Sequence, residues 1–131
     1  MAAARYSWLI DTSVFIDALR GYKPALDWIE SLSDDECFIS VITVAELFAG
    51  CRNQAEQRLV EREVSLYQML WLDENISQNA LALYQRFRLS HNIGFLDCLI
   101  ASTARQQDLR VATLNLKHFA PFSELEVKRP Y

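Results

Sequence analysis

The sequence predicts an α/β domain built on a mostly parallel central sheet. Short apolar runs that suit strands alternate with longer segments whose apolar residues recur at helical spacing. The run over residues 37–42 is apolar apart from Ser40, in the manner of a buried parallel strand. The 131 residues are 51% hydrophobic, which is enough for one core. We therefore expect a single domain over residues 1–131.

The first strand–helix unit surrounds Asp11. Residues 8–10 are a short apolar run that predicts a strand, helical spacing follows over residues 14–19, and Gly21 is a stop signal. Pro24 then opens a second helix. Asp11 thus lies at the carboxyl end of a strand, where open α/β sheets bind their ligands. Taken alone, an acid in this position is more often a helix cap.

The second unit gives Glu46 a similar position. Residues 37–42 are the predicted strand, and Thr43 and Glu46 have the spacing of a capping box, in which Thr43 caps a helix and Glu46 reaches back to it. A structural role for Glu46 is therefore an alternative to a functional one. A charged helix is predicted over about residues 54–70, with an apolar side broad enough to leave room for a partner. Residues 71–72 are a candidate edge strand.

The C-terminal half continues the alternation of predicted helices and strands. Ser77 is predicted to cap a helix over residues 78–90. Asp97 begins the most apolar helix of the chain, whose small residues suit close packing on a sheet. Asn115 is expected to cap a short turn that runs to residue 119. The remaining predicted strands are residues 109–113 and 126–127.

The charge balance excludes a protein that attracts nucleic acid through a global basic field. The formal net charge is −4, so a nucleic-acid role requires local positive charge. Each basic group is small enough to be an ordinary solvated face. These groups are Arg20 with Lys23, Arg86 with Arg88, and Lys117 with His118. We expect His91 and His118 to lie in loops or on the surface.

The cysteines and the apolar runs bear on the compartment. Three cysteines without C-x-x-C spacing (Cys37, Cys51 and Cys98) are typical of reduced core residues. No apolar run approaches the ~20 residues that span a bilayer, and the N-terminus lacks the layout of a signal peptide. The expected location is the cytoplasm, with no membrane partner.

Three carboxylates recur at the starts of helices and point to metal chemistry. If the junctions at Asp11, Glu46, Asp97 and Asn115 lie on one edge of the sheet, their side chains converge. Clustered carboxylates repel one another and favour a bound cation. The available ligands are oxygens, which suit Mg²⁺ or Mn²⁺ rather than zinc. Such an ion lowers the pKa of a bound water and neutralises charge on a phosphate under attack.

Four segments in order resemble the PIN-domain family, and within it the VapC-type toxins of toxin-antitoxin pairs. They are residues 10–13, 43–50, 97–104 and 111–119, and the resemblance runs in register from about residue 9 to residue 119. It implies a small three-layer α/β/α sandwich and a metal-dependent endoribonuclease that uses Mg²⁺, with Mn²⁺ also possible. It further implies an RNA substrate, a homodimer and a tightly bound antitoxin whose C-terminal segment crosses the site.

The resemblance also implies roles for particular residues. Asp11, Glu46 and Asp97 would form the acidic site, with Asp11 and Asp97 as the leading metal ligands. The orienting groups would be Thr12 or Ser13 beside Asp11 and Thr113 on the last strand. Many PIN nucleases have a fourth acid where this chain has Asn115. The amide of Asn115 can still orient a water or a phosphate through hydrogen bonds, but it adds no charge. Asp17 is expected to be exposed or structural.

Three other classes compete with a nuclease. A phosphoryl-transfer enzyme or receiver domain would use Thr113 and Lys117, but no second aspartate follows two residues after Asp11. A nucleotide-binding module is disfavoured because the three glycines form no phosphate-cradling array. The serious alternative is a non-catalytic PIN scaffold that binds RNA or a protein. Such a scaffold would have little use for three clustered acids that face phosphate.

Overall fold

The computed structural model describes residues 7–131, except for the side chain of Asp35. Within this range it contains five strands and six α-helices. The strands are β1 (Trp8–Ile10), β2 (Cys37–Ser40), β3 (Gln68–Leu70), β4 (Arg110–Ala112) and β5 (Val127–Lys128). The helices are α1 (Thr12–Leu19), α2 (Lys23–Glu30), α3 (Val41–Ala49), α4 (Gln54–Val64), α5 (Glu74–His91) and α6 (Phe95–Gln107). Two short 3₁₀ turns cover Asp34–Glu36 and Leu116–His118.

The strands form one sheet in the order β3-β2-β1-β4-β5, and every neighbouring pair is parallel. The predicted parallel α/β sheet is confirmed. Because all strands run the same way, their carboxyl ends lie at one edge, which is where ligands bind in such sheets. We call this edge, with the residues that follow β1, β2 and β4, the carboxyl edge.

Two helical layers cover the sheet, so the fold is the expected three-layer sandwich. Trp8 and Ile10 of β1 pack into a core with residues of α1, α3 and α4, whereas Leu9 packs into a second core with α5 and α6. Alternate residues of a strand point to opposite faces, which explains this division. Gly21 has a φ of +78° directly beyond α1, which confirms it as the stop of that helix. In the described range, no helix combines the length and apolar character needed to cross a membrane.

The start of α3 differs from the prediction. β2 ends at Ser40, and the Ser40 hydroxyl caps α3 by accepting a hydrogen bond from the backbone N–H of Ile42 at 3.0 Å. Thr43 is buried inside the helix, and its Oγ1 has no hydrogen-bond partner among the described residues. The predicted capping box of Thr43 and Glu46 is therefore wrong, because a serine three residues earlier caps the helix first.

Two substitutions distinguish these caps. We expect Ser40→Ala to lower the free energy of unfolding by about 1 kcal/mol, because the α3 N-terminus loses its capping oxygen. Thr43→Val should leave stability unchanged or raise it, because the buried hydroxyl makes no hydrogen bond. Urea denaturation measures both changes. The opposite order of stabilities would restore Thr43 as the cap.

The segment after α4 was predicted incorrectly. The helix ends at Val64 rather than at residue 70, and the edge strand is Gln68–Leu70 rather than residues 71–72. The Tyr67 ring packs edge-on against Phe15 at 4.9 Å between centroids, and its hydroxyl donates to Glu63 at 2.6 Å. This tertiary packing pulls the chain onto the sheet, so the apolar residues that suggested more helix form a strand instead.

The caps of the last two long helices also differ from the predictions. Asp73, not Ser77, caps α5, because its Oδ1 accepts the backbone N–H of Ile76 at 2.8 Å. Gly94 is the N-cap of α6, so Asp97 lies in the first turn and is not the cap. Asn115 does precede the short 3₁₀ turn, but its side chain makes no capping hydrogen bond.

Candidate active site

Asp11 lies where β1 ends, and its carboxylate does not cap α1. Its backbone N–H donates to the carbonyl of Ala112 in β4 at 2.9 Å, which fixes the residue between the two central strands. Its Oδ2 accepts from Thr113 Oγ1 at 2.8 Å and from Ser13 Oγ at 3.3 Å. Oδ1 has no hydrogen-bond partner in residues 7–131. The buried side chain therefore presents one free oxygen in a fixed orientation.

Two hydroxyl groups hold Asp11 and are held in turn by backbone amides. Thr113 Oγ1 accepts from the backbone N–H of Asn115 at 3.0 Å, and Ser13 Oγ accepts from that of Leu114 at 3.1 Å. Both hydroxyls can therefore direct their hydrogens toward the carboxylate. Of the expected orienting groups, Ser13 and Thr113 contact Asp11, whereas Thr12 contacts another acid.

That acid is Glu46. Glu46 lies on α3, and its Oε1 accepts from the Thr12 hydroxyl at 2.7 Å. The bond joins the start of α1 to α3 and directs the carboxylate to the carboxyl edge. Glu46 is solvent-exposed, so it remains accessible to a ligand.

Asp97 is brought to the same edge from α6. Burial raises the pKa of Asp97, the positive charge of His118 lowers it, and the negative charges of Asp11 and Glu46 raise it further. A hydrogen bond from the backbone N–H of Gly94 favours the charged form. Asp97 is thus close enough to the other two acids to be repelled by them, and a cation would relieve this repulsion.

Asn115 and His118 border these acids. The exposed Asn115 follows β4, and its backbone is tied to Thr113. His118 is exposed, as expected, but its Nδ1 lies 3.5 Å from Asp97 Oδ2. Sequence reasoning missed this contact, since the only signal is that His118 ends the short 3₁₀ turn that Asn115 precedes.

The donor set suits a hard cation bound with water. In the described part of the chain, no three His, Cys, Asp or Glu side chains form a preassembled metal cluster. Mg²⁺ does not require one, because it keeps several water ligands and is often bound through one or two carboxylates. Asp11 and Asp97 offer such a pair, and the three acids offer oxygen donors only.

The match to known families agrees with this geometry. Residues 8–123 match the PIN domain model. The chain belongs to the PIN-domain family, so the resemblance based on the four sequence segments is confirmed.

Within this family the chain is similar to proteins named VapC. It is 43% identical to Ribonuclease VapC10 of Mycobacterium tuberculosis over 120 residues, which cover 90% of each chain. It is 34% identical to Ribonuclease VapC19 of the same species over 123 residues, covering 90% of this chain and 96% of the relative. A toxin-antitoxin complex from Klebsiella pneumoniae has a chain that superposes with a TM-score of 0.80 and 26% identity, covering 95% of this chain and 98% of that one.

Proposed function

We propose that this chain is a metal-dependent endoribonuclease toxin of a VapBC-type toxin-antitoxin module. The observation that carries the proposal is the meeting of Asp11, Glu46 and Asp97 at one sheet edge, with Asp11 held by Thr113. The names of the relatives support ribonuclease activity, and the similar toxin-antitoxin complex supports an antitoxin partner.

The three acids would hold the cofactor, Mg²⁺ or Mn²⁺. Asp11 and Asp97 would be the leading ligands, with Glu46 beside them. When bound, the ion would make a water more acidic and neutralise charge on the phosphate. Charge neutralisation is needed here because an RNA phosphate would otherwise approach three negative groups.

The residues themselves would position the reactants. Hydrolysis forms a bond between a water oxygen and phosphorus, breaks one P–O bond of the RNA backbone, and moves a proton to the leaving oxygen. Glu46 is exposed and fixed by Thr12, so it can accept a hydrogen bond from the attacking water. The side chains of Asn115 and His118 can donate N–H groups to the phosphate oxygens.

The proposal is tested by cleavage of a mixed pool of structured cellular RNAs by the purified protein. We expect cutting with Mg²⁺, none with EDTA, and recovery when Mg²⁺ is added in excess of the EDTA. Absence of cutting with Mg²⁺ and with Mn²⁺ on every RNA would overturn the catalytic proposal. RNA binding without cleavage would then favour the non-catalytic scaffold.

A groove beside Glu46 suits an antitoxin segment. A groove of about 610 Å³ lies between α1, α3 and α4, and its lining includes Glu46, the exposed Ile16 and Leu59, and the basic Arg20 and Arg52. Arg52 is paired with Glu56 at 2.9 Å, so a segment with apolar side chains and an acidic group for Arg20 would match this lining. We propose that the antitoxin binds here, next to the catalytic acids.

The homodimer and the cytoplasmic location are also proposed. Exposed leucines on α5 and α6 (Leu81, Leu89 and Leu96) are apolar side chains that a second copy would cover. Cys37, Cys51 and Cys98 form no disulfide among the described residues, which suits a reducing compartment.

A further inference from the structure

A second pocket adjoins the carboxyl edge and contains none of the catalytic acids. It has a volume of about 350 Å³ and lies between the α1–α2 junction and the segment after β5. Its lining residues are Asp17, Tyr22, Pro24, Arg129 and Tyr131. The combination of two tyrosines with one arginine differs from the mainly apolar lining of the antitoxin groove.

The two tyrosines form an aromatic surface. Their ring centroids are 5.9 Å apart with an angle of 57° between the ring planes. The Tyr131 hydroxyl donates to Asp17 Oδ2 at 2.8 Å, which fixes that ring and confirms a structural role for Asp17. Tyr22 is 51% exposed, so part of its ring is available to a ligand.

Arg129 connects this surface to the acidic site. Its Nε donates to the backbone carbonyl of Tyr131 at 3.1 Å, and its Nη1 approaches the carbonyl of Leu114 at 3.5 Å. Leu114 directly follows Thr113, and its backbone N–H donates to Ser13, which contacts Asp11. Arg129 is therefore linked through Leu114 and Ser13 to the segment that holds Asp11.

We propose that this pocket is a nucleotide subsite for single-stranded RNA, in which Tyr22 stacks on a base and Arg129 contacts a backbone phosphate. The inference rests on the proposed function. Aromatic rings stack on any base, and a guanidinium matches phosphate geometry. The Asp17 carboxylate is tied to Tyr131 and can accept N–H groups from a base edge. The subsite would supply an aromatic platform for a base beside the acidic site.

Binding to full-length protein carrying Asp97→Asn, which is expected to block cleavage under the proposed function, tests the subsite. The probe is a short fluorescent single-stranded RNA of mixed sequence, and anisotropy gives Kd. Tyr22→Ala should weaken binding by roughly tenfold, whereas Tyr22→Phe should stay within about twofold because the ring remains. Circular dichroism checks that each variant is folded.

A second pair of variants separates a phosphate contact from net charge. Arg129→Gln should weaken RNA binding and reduce the slope of log Kd against log salt by about 0.7, as expected for one lost phosphate contact. Arg62→Gln is the matched control, because it removes the same charge from an exposed position in the last turn of α4. That turn leads into the amino end of β3, not into the carboxyl edge. It should leave Kd and the slope close to those of the parent.

The outcomes separate this proposal from the proposed function. Unchanged RNA binding by folded Tyr22→Ala and Arg129→Gln would overturn the subsite, even if the wild-type protein cleaves RNA with Mg²⁺. Weaker binding by both variants would support the subsite, even if the wild type cleaves nothing. Loss of antitoxin binding with unchanged RNA binding would show that the pocket docks the protein partner, and would also overturn the proposal.

Discussion

The Asp11→Asn variant is expected to lose RNA cleavage by roughly 100-fold or more. The substitution removes the negative charge from the fixed oxygen that Asp11 presents at the carboxyl edge. It also relieves part of the repulsion that raises the pKa of Asp97, so the fold should not be weakened. Initial cleavage rates at saturating Mg²⁺, with a denaturation curve of the same sample, measure both effects.

Two further variants sharpen this result. Thr113→Val keeps the Asp11 charge but removes the hydroxyl that orients it, and should reduce cleavage by about 10–100-fold. Asp108→Asn is the matched control, because Asp108 lies at the far end of α6 with a φ of 56° that asparagine accommodates. Equal cleavage by Asp11→Asn and Asp108→Asn would contradict the assigned role of Asp11.

The Phe15→Ala variant is expected to lose about 3–5 kcal/mol of unfolding free energy. Phe15 is fully buried in α1, and its ring packs edge-on against Tyr67, which holds the chain entering β3. The loss is a large part of the ~5–15 kcal/mol that stabilises an ordinary domain. Urea denaturation measures it directly.

The control for this prediction is an exposed leucine on a helix. Leu89 is 84% exposed on α5, and Leu89→Ala should change stability by less than about 0.5 kcal/mol because alanine is also a good helix former. A loss below about 1 kcal/mol for Phe15→Ala would contradict the packing of α1 described here.

The sequence predicted the architecture better than the element boundaries. The parallel sheet follows from the order of the apolar runs, and these runs can be identified directly in the sequence. The caps were harder, because Ser40 and Thr43 both precede an apolar helical run and only the path of the chain selects Ser40. The end of α4 depends on Tyr67 packing against Phe15, a contact between residues far apart in the chain.

The candidate site was also predicted only in part: its acids could be found in the sequence, but their partners could not. Asp11, Glu46 and Asp97 could be selected from the sequence because each lies near the start of a helix that follows a strand or loop. The partners of these acids could not be selected in the same way. Thr12 donates to Glu46 rather than to Asp11, and His118, the last residue of a 3₁₀ turn, lies beside Asp97. These contacts depend on side-chain directions that spacing alone does not specify.

Titration of Mn²⁺ into the purified protein is the most direct test of the central claim, that Asp11 and Asp97 hold one catalytic metal. Electron paramagnetic resonance measures the free ion. We predict that the protein binds Mn²⁺ and that Mg²⁺ competes for the site. Asp11→Asn and Asp97→Asn should each weaken Mn²⁺ binding by about tenfold or more, whereas Asp108→Asn should leave it unchanged. Equal Mn²⁺ affinity in Asp11→Asn, Asp97→Asn and the wild type would contradict the claim.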